Sequence, residues 1–417
     1  MLLRFEVSNH RSIAQPVELS MVAVDAERPA ARSFERLSES VLTVAGVYGP
    51  NASGKSNVID SMAWLSSAVR LSLRYWEKDV PREPFRFGNL AHEPSRFEIE
   101  LMVDGVRYAY VLDVDDTSVL FEGLYSYPEK RRRSLFEREG MEIQFRRGLG
   151  GLSGTRELLT PTTLAISAAM RYEDPEIAAV GHRLANIGVL GLRRGLLWPR
   201  AATERIFMDL SSRDTLPSPR GKGPDTLSEY ESAMALLRFA DLGIDDIQAV
   251  VEQTEDGDTR RHLRLVHSVG EQHVPFHLAE ESEGTQTWFR LIGPVLGALR
   301  TGQTLLFDEI DASLHPRLSA RLLELFQDPE TNPHGAQLIF TTHDTSLLNH
   351  LNRDEVWLTE KGPDGATTLT ALAEYGGDKV RRSLNLEKAY LQGRFGAVPD
   401  VDQHLLRQAL GLAAGGH

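Results

Sequence analysis

Gly49-Pro50-Asn51-Ala52-Ser53-Gly54-Lys55-Ser56 fits the spacing G-x-x-x-x-G-K-[ST] in full. It follows the apolar run Val41 to Val47 and precedes a helical pattern of Val58, Ile59, Met62 and Leu65. That strand–loop–helix context predicts a phosphate-binding loop. The glycines let the backbone curl so that successive N–H groups point inward, and the helix behind adds the positive end of its dipole. Gly49, Asn51, Gly54, Lys55, Ser56 and Asn57 are therefore the candidate nucleotide contacts. Lys55 is expected to reach the β- and γ-phosphates, and the Ser56 hydroxyl to ligate Mg²⁺. A glycine-rich turn that binds nothing is the competing reading. The complete spacing and its context weigh against it.

Thr304-Leu305-Leu306-Phe307-Asp308-Glu309 reads as a buried parallel strand. Its two carboxylates stand at the C-terminal end, where open α/β sheets hold ligands. Asp308 is the candidate metal group beside Ser56. Glu309, one residue on, is the candidate general base that polarises an attacking water. Leu338-Ile339-Phe340-Thr341-Thr342-His343 is a second apolar strand, and His343 at its end is a candidate γ-phosphate contact. An ordinary surface or core histidine is the plain alternative. Glu281-Ser282-Glu283-Gly284-Thr285-Gln286 leads into a helical run of Trp288, Leu291, Ile292 and Val295, so Ser282 and Gly284 sit where a helix N-terminus can take an anion. Alone, Ser-x-Gly-x-Gln is a weak signal. Its place in the chain order gives it weight.

That order is phosphate loop, Ser-x-Gly-x-Gln, strand–Asp-Glu, Asp311-Ala312-Ser313-Leu314 and strand–His. It resembles the ABC-type ATPase head, in particular its soluble RecF/SMC-like branch. The resemblance implies an α/β fold, a P-loop NTPase of the ABC-type head with an antiparallel β subdomain and a helical insertion. It implies ATP and Mg²⁺ as cofactors, with Glu309, His343 and Lys55 as the catalytic set. Ser282 and Gly284 would act in trans on the nucleotide of a second subunit, with Asp311 at the dimer seam and His343 as the switch histidine. The opening Leu2-Leu3-Arg4-Phe5-Glu6-Val7-Ser8-Asn9-His10-Arg11-Ser12-Ile13 looks like the first strand and turn of this branch. That places Arg11 near the nucleotide, with an exposed turn arginine as the alternative.

Three further stretches are similar to the abortive-infection and anti-phage-defence ATPases of this branch, the RloA-like and AriA-like AAA family ATP-binding proteins. They are Asp308-Glu309-Ile310-Asp311-Ala312-Ser313-Leu314-His315-Pro316, Ala240-Asp241-Leu242-Gly243-Ile244, and Tyr390-Leu391-Gln392-Gly393-Arg394-Phe395-Gly396-Ala397-Val398-Pro399. This resemblance implies a homodimer or higher homo-oligomer and an effector partner, a TOPRIM-type nuclease foremost. One departure stands out. ABC heads carry a glutamine in the first lobe that joins the Mg²⁺ shell, and between Asn57 and Gly150 only Gln144 is present, in a charge-rich, strand-like setting. No residue is assigned to that role.

With 417 residues the chain is long enough for a large core, read as two lobes of one head. The expected division is a first lobe over 1–155, a helical insertion over 156–240 and a second lobe over 241–417. The absence of cysteine excludes disulfides and Cys-based zinc sites, and fits a cytoplasmic protein. No apolar run approaches the ~20 residues that cross a bilayer, so no membrane role is expected. A net charge of −13 argues against a surface that grips nucleic acid throughout. It leaves room for a local DNA contact at Lys130-Arg131-Arg132-Arg133, Arg146-Arg147, Arg193-Arg194 or Arg381-Arg382, each of which reads first as a solvated charge run. Three functions remain open: a defence ATPase that controls an effector, a RecF-like DNA repair or loading ATPase, and a non-hydrolysing ATP-dependent scaffold.

Overall fold

The computed structural model describes residues 1–34, 37–129, 131–146, 148–149, 154–172, 174–192, 202–208, 229–240, 243–253, 259–375 and 385–397. The turn-rich stretch 216–224, the Arg193-Arg194 and Arg381-Arg382 pairs, Lys130, Arg147, Asp241, Leu242, Val398 and Pro399 lie outside the described residues.

The chain opens with strands β1 (Leu2–Ser8), β2 (Val17–Ser20), β3 (Ala31–Ser33), β4 (Ser40–Leu42) and β5 (Val44–Tyr48), followed by the 21-residue helix α1 (Lys55–Tyr75). Five strands follow: β6 (Ser95–Val103), β7 (Val106–Val114), β8 (Val119–Tyr127), β9 (Arg133–Glu139) and β10 (Glu142–Phe145). They join β1 and β2 in an antiparallel sheet ordered β10-β9-β8-β7-β6-β1-β2. The turn between β6 and β7 is Asp104-Gly105, both with positive φ (48° and 76°), as a two-residue hairpin connection requires. Alternation of apolar and polar residues along Phe97 to Leu101 predicts this sheet, and its buried face carries Phe97, Ile99 and Leu101.

Next come helices α2 (Thr155–Leu158), α3 (Ala165–Ala169) and α4 (Pro175–Ala185), strand β11 (Gly188–Leu190), and helices α5 (Ala202–Met208) and α6 (Glu229–Phe239). The stretch 156–240, expected as a helical insertion, thus also supplies β11, which pairs in parallel with a core strand. An antiparallel trio follows, β12 (Ile244–Gln253), β13 (Thr259–Val269) and β14 (Gln272–His277). The rest alternates: α7 (Glu283–Thr301), β15 (Thr304–Phe307), α8 (Ile310–Ser313), α9 (Pro316–Gln327), β16 (Gln337–Thr341), β17 (Val356–Lys361), β18 (Thr367–Ala371) and α10 (Leu386–Leu391).

The central sheet is ordered β11-β15-β16-β5-β17-β18, parallel throughout except for β18. Both faces are buried, and the two-residue period of a strand divides its side chains between them. Ala45, Val47, Leu306, Ile339 and Trp357 face a core shared with α1, α3, α4 and the antiparallel sheet. Tyr48, Leu305, Phe307, Leu338 and Phe340 face a second core with α7 and α9. One buried side chain ties the sheets together. The Gln337 amide donates to the carbonyls of Leu2 (2.8 Å) and Leu42 (3.0 Å), and its oxygen accepts from Leu2 N–H and the Thr304 hydroxyl.

A second buried knot pins α3 to the antiparallel sheet. Glu122, wholly buried, accepts from the N–H groups of Ala165 and Ile166 and from the Tyr110 hydroxyl (2.9 Å). Arg138 Nη1 lies 3.7 Å away, and this guanidinium also donates to the Gly140 and Thr160 carbonyls. Burial pushes the Glu122 carboxyl up and the Arg138 guanidinium down, and each opposes the other's shift. Breaking such a pair strands a charge in the interior. Glu122→Ala is therefore expected to lower unfolding free energy by about 3–5 kcal/mol in chemical denaturation, with Glu122→Gln costing less.

Candidate active site

The loop from Gly49 to Gly54 leaves β5 and turns into α1 through a run of unusual backbone conformations. Gly49, Ala52 and Gly54 have φ of 152°, 63° and 106°. At Gly54 a side chain is excluded twice over, because a Cβ there would stand 2.1 Å from the Thr367 hydroxyl and the φ is left-handed. The first turn of α1 has neither a side-chain cap nor an acidic residue, which leaves its N-terminal N–H groups facing outward with the positive end of the dipole.

Hydroxyl groups hold the loop in this shape. Buried Ser53 pairs with Thr359 (2.6 Å), Thr359 donates to the Tyr48 carbonyl (3.1 Å), and Thr367 donates to the Ser53 carbonyl (2.8 Å). Ser12 bridges Thr367 (2.7 Å) and the Asn57 amide (2.6 Å). Lys55 is 6% exposed, and its ammonium donates to the Gly49 (2.9 Å) and Pro50 (3.1 Å) carbonyls. Ser56, half-buried, is the second residue of α1.

Strands β5, β16 and β15 are adjacent and parallel, so Lys55, His343, Asp308 and Glu309 all emerge at one edge. Asp308 is buried. Its Oδ1 accepts from the Thr341 hydroxyl (2.6 Å), and the same hydroxyl accepts from the Glu309 N–H (2.7 Å). Glu309 itself is exposed and left-handed (φ 54°), so the chain turns sharply there. Asp311 accepts from the Thr342 hydroxyl (2.7 Å) and from the His343 N–H (3.2 Å), which joins the end of β15 to the end of β16. Burial lowers the Lys55 pKa, and Glu309, Asp308 and Asp311, in that order, pull it back up. The ammonium and the three carboxylates therefore share one electrostatic neighbourhood.

Arg11 also has a left-handed backbone (φ 50°), but its guanidinium is taken by Asp60 (3.0 Å) and Glu83 (3.1 Å). Asp60 lies on α1 and pairs as well with buried His10 (2.9 Å). This places the Arg11 turn against α1, where Arg11 meets Asp60 in the second turn and Ser12 meets Asn57 in the first. Ser282 caps α7, accepting from Thr285 N–H (3.2 Å), and a Cβ at Gly284 would meet the Ser282 hydroxyl at 3.9 Å, ordinary contact. Both are exposed, and among the described residues neither makes a hydrogen bond to the phosphate loop or the carboxylates of its own chain. Gln144 is exposed on β10, the outermost strand of the antiparallel sheet, and so lies apart from this edge.

Ser56 and Asp308 supply the hard oxygen donors that Mg²⁺ prefers. Among the described residues no cluster of three or more His, Asp or Glu side chains forms a metal cage. That fits an ion held by one carboxylate, one hydroxyl and the phosphates of its substrate. Thr341, Thr359, Thr367 and Ser12 belong to the site but are not legible as such in the sequence. The one available signal is the polar pair Thr341-Thr342 closing an otherwise apolar strand.

The profile of the family described as "AAA domain, putative AbiEii toxin, Type IV TA system" matches residues 44–349. None of the curated proteins matches. Among solved structures, the chain is similar to the SMC head bound to the C-winged helix domain of ScpA, with TM-score 0.44 and 14% identity over 89% of this chain and 97% of that one. It is also similar to the SMC head domain from Thermotoga maritima (TM-score 0.40, 14% identity, 89% and 98% covered). A third is the Pyrococcus furiosus Smc head with an extended coiled coil bound to the C-terminal domain of ScpA (TM-score 0.42, 13% identity, 89% and 97%). These likenesses are distant, and nothing about chemistry rests on them. The family profile spans the stretch from the phosphate-loop strand to just beyond His343, and the chain belongs to this family of AAA-domain ATPases.

Proposed function

We propose that the chain hydrolyses ATP at a site completed by a second copy, and that this cycle controls an effector protein in anti-phage defence. The observation that carries the ATPase reading is the juxtaposition of an uncapped α1 N-terminus with Asp308 and Glu309 across a single intervening strand. The N–H groups and Lys55 take the phosphates. Ser56 and Asp308 hold Mg²⁺, which when bound supplies charge neutralisation at the β- and γ-oxygens. Glu309, exposed at this edge, accepts the proton of the attacking water. Thr341 holds the Asp308 carboxylate and the Glu309 backbone from one hydroxyl.

The trans arrangement rests on exposure. Ser282 and Gly284 present an exposed, capped helix N-terminus that, among the described residues, has no hydrogen bond to its own active site. A nucleotide gripped by two subunits as ATP and by one as ADP favours a closed dimer before hydrolysis and releases it afterwards. Only such a difference in contacts lets a ligand drive a conformational change. Control of a nuclease of the TOPRIM type follows from the resemblance in sequence. In the basic run at 131–133 all three arginines are exposed, and the Arg132 guanidinium stacks on Tyr125 at 3.7 Å and lies 3.9 Å from Glu137.

Glu309→Gln is expected to lower ATP turnover by about 10²–10⁴-fold, the range for loss of a general base, while ATP-bound dimers accumulate in light scattering. Retained turnover in this variant would remove Glu309 from its role. Thr341→Val leaves Asp308 Oδ1 and the Glu309 N–H without their shared partner. It should cost about 1–3 kcal/mol in stability and reduce kcat more than ATP affinity, as measured by denaturation and steady-state kinetics. Ser282→Arg should leave ATP binding by single subunits intact and abolish both ATP-dependent dimers and turnover. Turnover at the unmodified rate would overturn the trans assignment.

A further inference from the structure

The turn after β1 is locked to the stretch 81–89, which forms neither helix nor strand. Asn9, buried and left-handed (φ 52°), donates from its amide to the Leu90 (2.7 Å) and Glu93 (2.8 Å) carbonyls. Its amide oxygen accepts from the Phe85 N–H (2.9 Å), and the Arg11 N–H donates to the Glu83 carbonyl (2.6 Å). This bracing holds up a pair of phenylalanines. Phe85 is buried with Ala14 and Ala366, whereas Phe87, 5.5 Å away between ring centroids, is 65% exposed. Phe87 stands against the turn at Gly365, where a Cβ would come within 3.3 Å of its ring. One exposed ring is ordinary in itself. The position of this one is not.

Phe85, Phe87, Ser12, Arg86, Lys361 and Gly365 are among the walls of a cavity of about 260 Å³. That is below the range for a complete drug-sized ligand and leaves room for one planar ring system. Ser12 belongs both to this cavity and to the phosphate loop. Its hydroxyl accepts from the Asn57 amide (2.6 Å) and pairs with Thr367 (2.7 Å), which donates to the Ser53 carbonyl. Thr367 is two residues beyond Gly365, a span of at most about 7 Å. Strand order gives the direction a nucleotide takes from the loop. β15 and β16, which lead to Asp308, Glu309 and His343, lie on one side of β5, and β17 and β18 on the other. A triphosphate with its γ-end toward Glu309 therefore sends its nucleoside toward β18 and this cavity. Exposed Arg86 and Lys361 stand there, and among the described residues neither side chain has a hydrogen bond or ion pair.

We propose that this cavity seats the base of the bound nucleotide, with Phe87 as its stacking face. Arg86 and Lys361 add positive charge at the nucleoside end. The proposal rests on the phosphate-loop reading of the site. Stacking uses the π-face that every base offers, so the seat contributes affinity and orientation rather than base choice. Arg11 touches no nucleotide here; its pairs with Asp60 and Glu83 hold the Phe85–Phe87 stretch against α1.

The test is calorimetric binding of ATP and of inorganic tripolyphosphate, which lacks the nucleoside, to the full chain in excess Mg²⁺. Phe87→Ala is expected to weaken ATP by about 5- to 100-fold, the range for loss of one base–aromatic stack, and tripolyphosphate by less than about twofold. Phe87→Tyr should restore ATP affinity. In Phe87→Trp, ATP should quench the added indole emission and tripolyphosphate should not. Unchanged ATP affinity in Phe87→Ala, an equal loss for both ligands, or no quench in Phe87→Trp would overturn the proposal while leaving the phosphate loop its role. Failure of the unmodified chain to bind either ligand would overturn the nucleotide reading itself, and this proposal with it.

Discussion

The N–H groups at the start of α1 have no capping side chain, and the rest of the nucleotide edge is arranged around that deficit. A 21-residue helix that begins without a cap exposes both its unpaired donors and the positive end of its dipole. A loop with three positive φ values would relax into a more ordinary turn unless held, and four hydroxyl-bearing residues do the holding. Ser12 from the first turn of the chain and Thr367 from β18, the last strand among the described residues, meet on the same loop. The phosphate-binding geometry is thus a property of the whole head, closed only when its two ends have come together.

The parallel sheet converts this local geometry into a site. Adjacent parallel strands end in register, so the groups that follow β5, β15 and β16 have to share an edge. Buried Gln337 then fixes the antiparallel sheet to the parallel one through four hydrogen bonds, three of them to backbone. The two sheets are expected to move as one body, with freedom reserved for exposed parts such as the α7 N-terminus and the loop after β16.

Much of this architecture was legible because chemistry marks the ends of the elements. The phosphate loop brackets α1, Asp308-Glu309 closes β15, His343 follows β16, and Asp104-Gly105 turns β6 into β7. The missed features carry no such mark. β11 is three residues between helices, too short for periodicity to register. β14 contains Pro275, which sequence reading sets against a strand and which the structure accepts at a sheet edge. Thr341 looks like ordinary strand composition, and only the position of Asp308 beside it shows what its hydroxyl does. Arg11 invited a nucleotide role from its neighbours in sequence, whereas its charge is answered by Asp60 on α1 and by Glu83.

The small strand β11 has a consequence for how the chain can be cut. The Leu190 carbonyl accepts from the Asp308 N–H at 2.9 Å, and a Cβ at Gly191 would stand 2.0 Å from the Asp308 carbonyl oxygen. Strand β11 and Gly191, within the stretch 156–240, therefore brace the backbone of Asp308 directly. It cannot be excised or grafted as an accessory module. A shortened chain would lose an outer strand of the sheet and, with it, the support that aims Asp308.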